Sequence, residues 1–263
     1  KYRVAYGLRA DVLPRSTSVH LSFMRGNPLA LRLLCAMYTG GDIPSLVPAH
    51  SLDLFQAYYD TKIGSDSRVA DFFARLVRAM AECNSIAPTQ QELVARDETL
   101  KENFEDSKLS SPYQRLKNLS VIYEYIREDH KTVSFVHGAF FGFALAITLF
   151  PMKGKLKAED MVRWIKRGRE FGSLRKAVEM ALVFRKDWET LESLSDTDNL
   201  YVRAVVMQAI ATLGSQGSTK DSTHRFLEEL LRVNKRPRKM LAIGALCELS
   251  PTPTRLFVKA ILD

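Results

Sequence analysis

The residues of this sequence that could carry out chemistry are few and scattered. Gly214 to Lys220, GSQGSTK, comes nearest to a phosphate-binding loop. In such a loop, however, the lysine precedes Ser or Thr, whereas here it follows them, and the preceding segment has a helical pattern. The five histidines are too dispersed to predict a metal site, and the sequence contains no HExxH, GxSxG or GxGxxG motif. We therefore expect this chain alone to catalyse no reaction and to bind no metal.

Two short segments stand apart from this background. GNPLALRLLC, residues 26–35, places Pro28 at the first position of a predicted helix, where the missing N–H of proline costs no hydrogen bond. FVHGAFFGFALA, residues 135–146, places His137 among aromatic residues at the start of an apolar stretch. On the plainest interpretation, Pro28 only begins a helix and His137 is a hydrogen-bonded core histidine.

In this order, the two segments resemble the C-terminal part of the nucleotide-binding module of STAND NTPases, especially the NACHT type and its antiviral defence members. In that family a Gly-x-Pro motif opens a helical domain, and a winged-helix domain carries the pattern Phe-x-His-x-x-Phe-x-Glu-Phe/Tyr-x-x-Ala. The first motif is matched by Gly26 and Pro28, and the second by Phe135, His137, Phe140, Phe143 and Ala146. Gly142 stands where the family commonly has the acidic residue.

This resemblance implies roles for two residues. Pro28 would pack against the adenine of bound ADP, and His137 would donate a hydrogen bond to its β-phosphate, with added strength if the imidazole is protonated. The contact would hold the winged helix closed, and exchange of ADP for ATP would favour an open, oligomerising state.

The same resemblance implies that the Walker A and Walker B segments lie N-terminal to Lys1, in an NTPase core that would share the ATP or ADP. The chain would then be the regulatory and sensor-proximal part of an innate-immune or antiviral signalling protein. Its further partners would be a protein ligand or other copies of itself.

The first predicted region, residues 1–84, is a helical domain. One helix begins at Pro28 and ends at Gly40-Gly41. Ser51 caps a second helix, and the third covers Arg68–Cys83. The second helix has one apolar face formed by Leu52, Phe55, Tyr58 or Tyr59, and Ile63. The third helix has an inner side formed by Val69, Phe72, Phe73, Leu76, Val77 and Met80.

The second predicted region, residues 85–152, has the layout of a winged helix. Helical segments lead to a β-hairpin, in which Val121, Tyr123 and Tyr125 alternate, residues 127–131 turn, and the chain alternates back through Val133, Phe135 and His137. An apolar helix follows and ends at Pro151.

The third predicted region, residues 153–263, is a HEAT-like run of amphipathic helices. Three segments place a basic residue six positions before an alanine, and the pairs are Arg175 with Ala181, Arg203 with Ala209, and Lys239 with Ala245. Such repeats bury their faces only against neighbouring repeats. An ordinary helical bundle is the alternative. The predicted fold class is therefore mainly α, with one small β-hairpin.

The composition of the chain indicates its cellular compartment and the classes of partner that it could bind. The 38 Lys and Arg exceed the 30 Asp and Glu, which gives a net charge of +8 that suits a solvated surface or a nucleic acid. Three cysteines at irregular spacing predict a reducing compartment, for which we expect the cytoplasm. The longest apolar stretch, Phe140 to Met152, is shorter than the roughly twenty residues that span a bilayer, so we expect no membrane partner.

Two other functions compete with the NTPase interpretation. A non-enzymatic α-solenoid could serve as a scaffold for other proteins, and complete enclosure of His137 by core side chains would favour it. Alternatively, the winged helix could bind the backbone of a nucleic acid through Arg115, Lys117, Arg127 and Lys131. We do not favour this second alternative, because Leu116 and Leu119 predict that one face of the helix is buried.

Overall fold

The structure is a computed structural model that describes residues 28–39, 51–150, 156–216, 218–233 and 235–249. These residues form thirteen helices and one two-stranded antiparallel sheet, so the predicted mainly α class with a small hairpin is confirmed. Contacts divide the chain into two units, with the boundary between Phe141 and Gly142. The division into three domains at residues 84 and 152 stays a prediction.

The first unit begins with three helices, α1 (Pro28–Met37), α2 (Ser51–Lys62) and α3 (Ser67–Glu82). Helix α1 begins at the predicted proline, whereas its predicted stop at Gly40-Gly41 lies outside the described residues. On α2, Tyr58 is the buried tyrosine of the predicted pair, and its hydroxyl donates to the carbonyl oxygen of Leu119 at 3.1 Å. Because this hydrogen bond satisfies the hydroxyl group, the side chain of Tyr58 can be buried in the core.

Helix α3 is the central apolar helix of this unit. All six side chains predicted for its inner side are buried, as their helical spacing requires. The carboxylate of Asp66 caps the helix by accepting from the backbone N–H of Arg68 at 3.0 Å and of Val69 at 3.4 Å. Asp66 also pairs with Arg115 from a later helix, which ties the two helices together.

Three short helices follow, namely α4 (Gln90–Arg96), α5 (Leu100–Glu105) and α6 (Pro112–Asn118). Thr89 and Glu92 form a reciprocal capping box at the start of α4, and Ser111 caps α6. Local side chains therefore define where α4 and α6 begin.

The predicted hairpin consists of β1 (Ile122–Arg127) and β2 (His130–Phe135). Its turn consists of Glu128 and Asp129, whose φ angles of 52° and 63° are positive, as a type I′ turn requires. The predicted turn over residues 127–131 was too long, because Arg127, His130 and Lys131 pair within the strands. The buried start of β1 is Ile122, opposite Phe135, whereas Tyr123 is 45% exposed. The predicted alternation of the tyrosines is therefore real, but it marks the outer face, where Tyr123 stacks on Tyr125.

An aromatic cluster forms the core of the first unit. Phe140, which comes shortly after β2, lies edge-on to Phe55 and Tyr58 with ring centroids 5.6 and 5.7 Å apart. Phe135 at the end of β2 packs against Phe73 at 6.0 Å. These contacts fix both ends of the short segment that contains His137.

Seven helices complete the described chain. Helix α7 (Gly138–Leu149) contains the boundary between the units. The second unit continues with α8 (Ala158–Arg167), α9 (Gly172–Arg185), α10 (Trp188–Ser195), α11 (Leu200–Ser215), α12 (Lys220–Arg232) and α13 (Arg236–Leu249).

The three helices that carry the sequence repeat pack in succession, α9 against α11 and α11 against α13. Their repeated alanines are all buried, and these are Ala181, Ala209 and Ala245. An ion pair ties α13 to the end of α10, where Arg238 donates to the two oxygens of Asp196 at 2.6 and 2.7 Å. Hydrogen bonds from Arg238 and Lys235 lower the pKa of Asp196 to about 2.

Candidate functional site

The candidate site joins the two segments that the sequence singles out. Arg32 lies one helical turn after Pro28 on α1, and its guanidinium Nη1 is 3.3 Å from Nε2 of His137. The two residues are 105 positions apart in the chain, and both are only partly buried. The fold therefore brings the Pro28 helix and the His137 segment to one place.

His137 is held by the backbone on both sides. Its carbonyl oxygen accepts from the N–H of Phe141 at 3.0 Å, as the residue before a helix does, and the N–H of Val136 donates to Val121 at 3.0 Å. With Phe135 and Phe140 buried in the aromatic core, the imidazole is positioned by its neighbours in sequence.

The environment of His137 favours the neutral ring. Partial burial, and then the charge of Arg32, lower the pKa of this histidine below its ordinary value. Because the guanidinium can only donate, Nε2 accepts the hydrogen bond, and the proton of the neutral ring is on Nδ1. Within the described residues this Nδ1–H has no acceptor, so it can donate to a further partner.

The start of α7, directly after His137, is open to solvent. Gly138 and Ala139 are exposed, and apart from its chain neighbours and its own helix backbone no described atom lies within 4 Å of the place that a Cβ on Gly138 would occupy. The N-terminus of a helix carries partial positive charge and backbone N–H groups without partners in the helix. A cationic guanidinium, an imidazole and this helix end together suit a phosphate or another anion.

The predicted site residues have different outcomes. Pro28 is the first residue of α1, but contact of its side chain with adenine and the role of Gly26 lie outside the described residues. His137 is half-buried, not enclosed, and its predicted role stays a prediction. Arg32 was missed, although it is the single charged residue in the otherwise apolar sequence of α1, and that isolation could have revealed it.

Gly142, at the position where the resemblance expects an acid, lies in the second unit beside α9. A side chain on Gly142 would meet the Cγ of Lys176 at 3.4 Å. Lys176 instead pairs with Glu179, Nζ to Oε1 at 2.6 Å. A carboxylate thus stands next to this lysine, and it comes from α9 itself.

The structure also assigns places to the remaining sequence candidates. Gly214 lies within α11, where a Cβ would come within 2.8 Å of the Leu249 side chain, so helix packing explains this glycine without a phosphate. Of the candidate nucleic-acid contacts, Arg115 pairs with Asp66, and Lys117 lies 3.8 Å from Glu124.

Neither the protein-family models, nor the curated proteins, nor the solved structures gave a match to this chain. Among the described residues, no helix is both long and apolar enough to cross a membrane. In that same part of the chain, no three His, Cys, Asp or Glu side chains are grouped so that they could hold a metal ion.

Proposed function

We propose that the chain is the regulatory part of a STAND or NACHT-type NTPase that closes over ADP and opens on ligand recognition. Opening would permit ATP-dependent oligomerisation in immune or antiviral signalling. In this proposal residues 85–152 form a winged helix and residues 153–263 form a HEAT-like region that joins the core to the sensor.

One observation carries the proposal. The segments that resemble the two family motifs meet through Arg32 and His137, at the accessible start of α7. An arginine, a histidine that can donate from Nδ1 and a helix N-terminus fit the β-phosphate that the resemblance implies.

The residues of this chain would act by holding an anion and not by chemistry on it. Arg32 supplies the permanent charge, and its hydrogen bond keeps the neutral imidazole in one orientation. A ligand shifts the equilibrium between a closed and an open state only if it binds one of them better. Contacts between this site and ADP therefore stabilise the closed state only if they are made in that state and not in the open one.

Calorimetric titration with ADP tests the proposal on the protein extended N-terminally through the expected phosphate-binding loop. We expect His137→Ala and Arg32→Ala each to weaken ADP binding by roughly tenfold, as expected for a lost charge-assisted hydrogen bond. His130→Ala and Arg78→Ala are the matched controls, since both side chains are exposed and lie outside the site.

Unchanged ADP affinity in both site variants, with lowered thermal stability, would contradict the proposal. His137 would then be a structural residue. The absence of any phosphate-binding loop upstream of Lys1 would contradict it as well.

A non-enzymatic HEAT-like scaffold is the second candidate. It is supported by the packing of α9 against α11 and of α11 against α13, and by the burial of the repeated alanines on these helices. Nucleic-acid binding has less support, because Arg115 is engaged by Asp66 and Lys117 is close to Glu124. This alternative would be supported if the protein bound duplex DNA with an affinity that falls steeply with salt, and if Lys131→Glu abolished that binding.

A further inference from the structure

A second concave site lies in the first unit, away from Arg32 and His137. Helices α4, α5 and α6 and one face of the hairpin enclose a groove of about 660 Å³. Neither Arg32 nor His137 lines it. Its volume lies within the range of about 300–1,000 Å³ that is typical of sites for small molecules.

The groove has an aromatic and apolar floor. Phe104 and Tyr113 line it, with their rings edge to face and 4.9 Å apart, and Val94 adds an aliphatic surface. Tyr113 is only 1% exposed, and Nζ of Lys117 lies 5.3 Å from the centre of its ring. Tyr113 therefore holds Phe104 in place and offers almost no ring surface to a ligand. A flat apolar group could cover Phe104 and Val94, which are only partly buried, and so be removed from water together with them.

Hydrogen bonds organise the polar wall of the groove. Glu124 Oε2 accepts from the hydroxyl of Tyr113 at 2.6 Å and from Nε2 of Gln90 at 2.7 Å. Burial and the nearby Glu124 raise the pKa of Tyr113, so this hydroxyl stays protonated and donates. The other oxygen of Glu124, Oε1, is 3.8 Å from Nζ of Lys117 and can accept an N–H from a ligand.

Lysines stand around the groove. Lys101 comes from α5, Lys117 from α6 and Lys131 from β2, whereas the lining has two carboxylates, Glu105 and Glu124. Lys117 is close to Glu124, but Lys101 and Lys131 are exposed and have no ion pair within the described part of the chain. The groove therefore has cations available for an anion.

We propose that this groove binds a small anionic molecule built on a flat ring with an N–H donor, the chemical class of purine mononucleotides. The ring would lie against Phe104 and Val94, its N–H would donate to Oε1 of Glu124, and the anionic group would face Lys101 and Lys131. This proposal does not depend on the function proposed above.

The test is a titration of the isotope-labelled 263-residue protein with GMP, followed by amide chemical shifts. We expect the shifts to map to α4, α5, α6 and the hairpin. Lys101→Glu and Lys131→Glu should each weaken binding at least about fivefold, as expected for the reversal of a charge near an anion. Lys108→Glu, an exposed lysine of the same unit that does not line the groove, should change the affinity by less than about twofold.

Two fragments of the probe separate the contributions of ring and charge. Guanosine lacks the phosphate, and ribose 5-phosphate lacks the ring, so each should bind at least about tenfold more weakly than GMP. Equal binding of ribose 5-phosphate and GMP would mean that only the charge is recognised, which overturns the proposal.

Two further outcomes would also overturn it. One is the absence of shifts up to about 5 mM GMP, a concentration that would reveal even a millimolar site. The other is a set of shifts confined to Arg32, His137 and their neighbours. That pattern would reject the groove while supporting an anion site at the start of α7, so the two proposals can fail separately.

Discussion

At the scale of single residues, the contact between Arg32 and His137 is the informative feature. Partial burial lowers the pKa of His137, and the neighbouring charge of Arg32 adds to the effect. The resemblance implies that the hydrogen bond from His137 to the β-phosphate is stronger when the imidazole is protonated. The structure instead places a permanent cation beside it, so the site does not need a charged imidazole at neutral pH.

Removal of Arg32 should therefore be visible in the titration of the imidazole. We expect Arg32→Ala to raise the pKa of His137, because the neighbouring positive charge that opposes protonation is lost. The measurement is an NMR titration of the histidine ring protons. Arg78→Ala, on the exposed side of α3, should leave the pKa of His137 unchanged, and an equal change in both variants would exclude the direct contact as the cause.

The lowered pKa also determines how pH affects stability. The unfolded chain, with its ordinary histidine pKa of 6.5, binds the proton more readily than the folded chain. Stability from this residue is thus complete above pH 6.5 and falls as the pH drops below that value.

At the scale of elements, close approaches between helices explain several glycines. A Cβ on Gly168, at the end of α8, would lie 2.9 Å from the backbone nitrogen of Arg175 on α9. Backbone cannot move aside as a side chain can. The junction of α8 and α9 therefore requires a residue without a side chain.

A pair of glycine variants tests this requirement. Gly168→Ala should destabilise the protein by about 1–3 kcal/mol, because the new methyl group overpacks the junction. Gly172→Ala is the control, since no atom lies within 4 Å of its new methyl group. As the first residue of α9, it should be neutral or stabilise by up to about 1 kcal/mol. Chemical denaturation measures both, and equal effects would refute the packing argument.

Sequence reasoning succeeded where an element depends on neighbouring residues. The start of α1 at Pro28, the inner face of α3 and the presence of the hairpin all follow from spacing or backbone chemistry within a few positions. It was less successful on β1, where the alternating Tyr123 and Tyr125 lie on the outer face. Alternation tells which residues share a face, but neighbouring elements decide which face is covered.

At the scale of the whole molecule, the proposed function predicts a change in assembly. In the protein that includes the NTPase core, loss of the contact to ADP should weaken the closed state, since less ligand free energy holds it. We expect His137→Ala to form oligomers without an activating ligand, as measured by size-exclusion chromatography with light scattering.

His130→Ala serves as the control for assembly and should behave as the unmodified protein does. A His137→Ala protein that binds ADP more weakly yet keeps the unmodified oligomeric state would separate nucleotide binding from assembly. The proposed switch would then be wrong, even though the anion site would stand.

The sequence by itself determined the helical class, the hairpin, the start of α1, the extent of α3 to within one residue and the two segments that resemble a nucleotide switch. Each depends on caps, turns and periodicity, which act over a few residues. Only the tertiary structure decided that Arg32 meets His137, that Gly168 faces a neighbouring backbone, and that lysines from three elements surround one groove. These are contacts between elements, and packing, not local spacing, sets them.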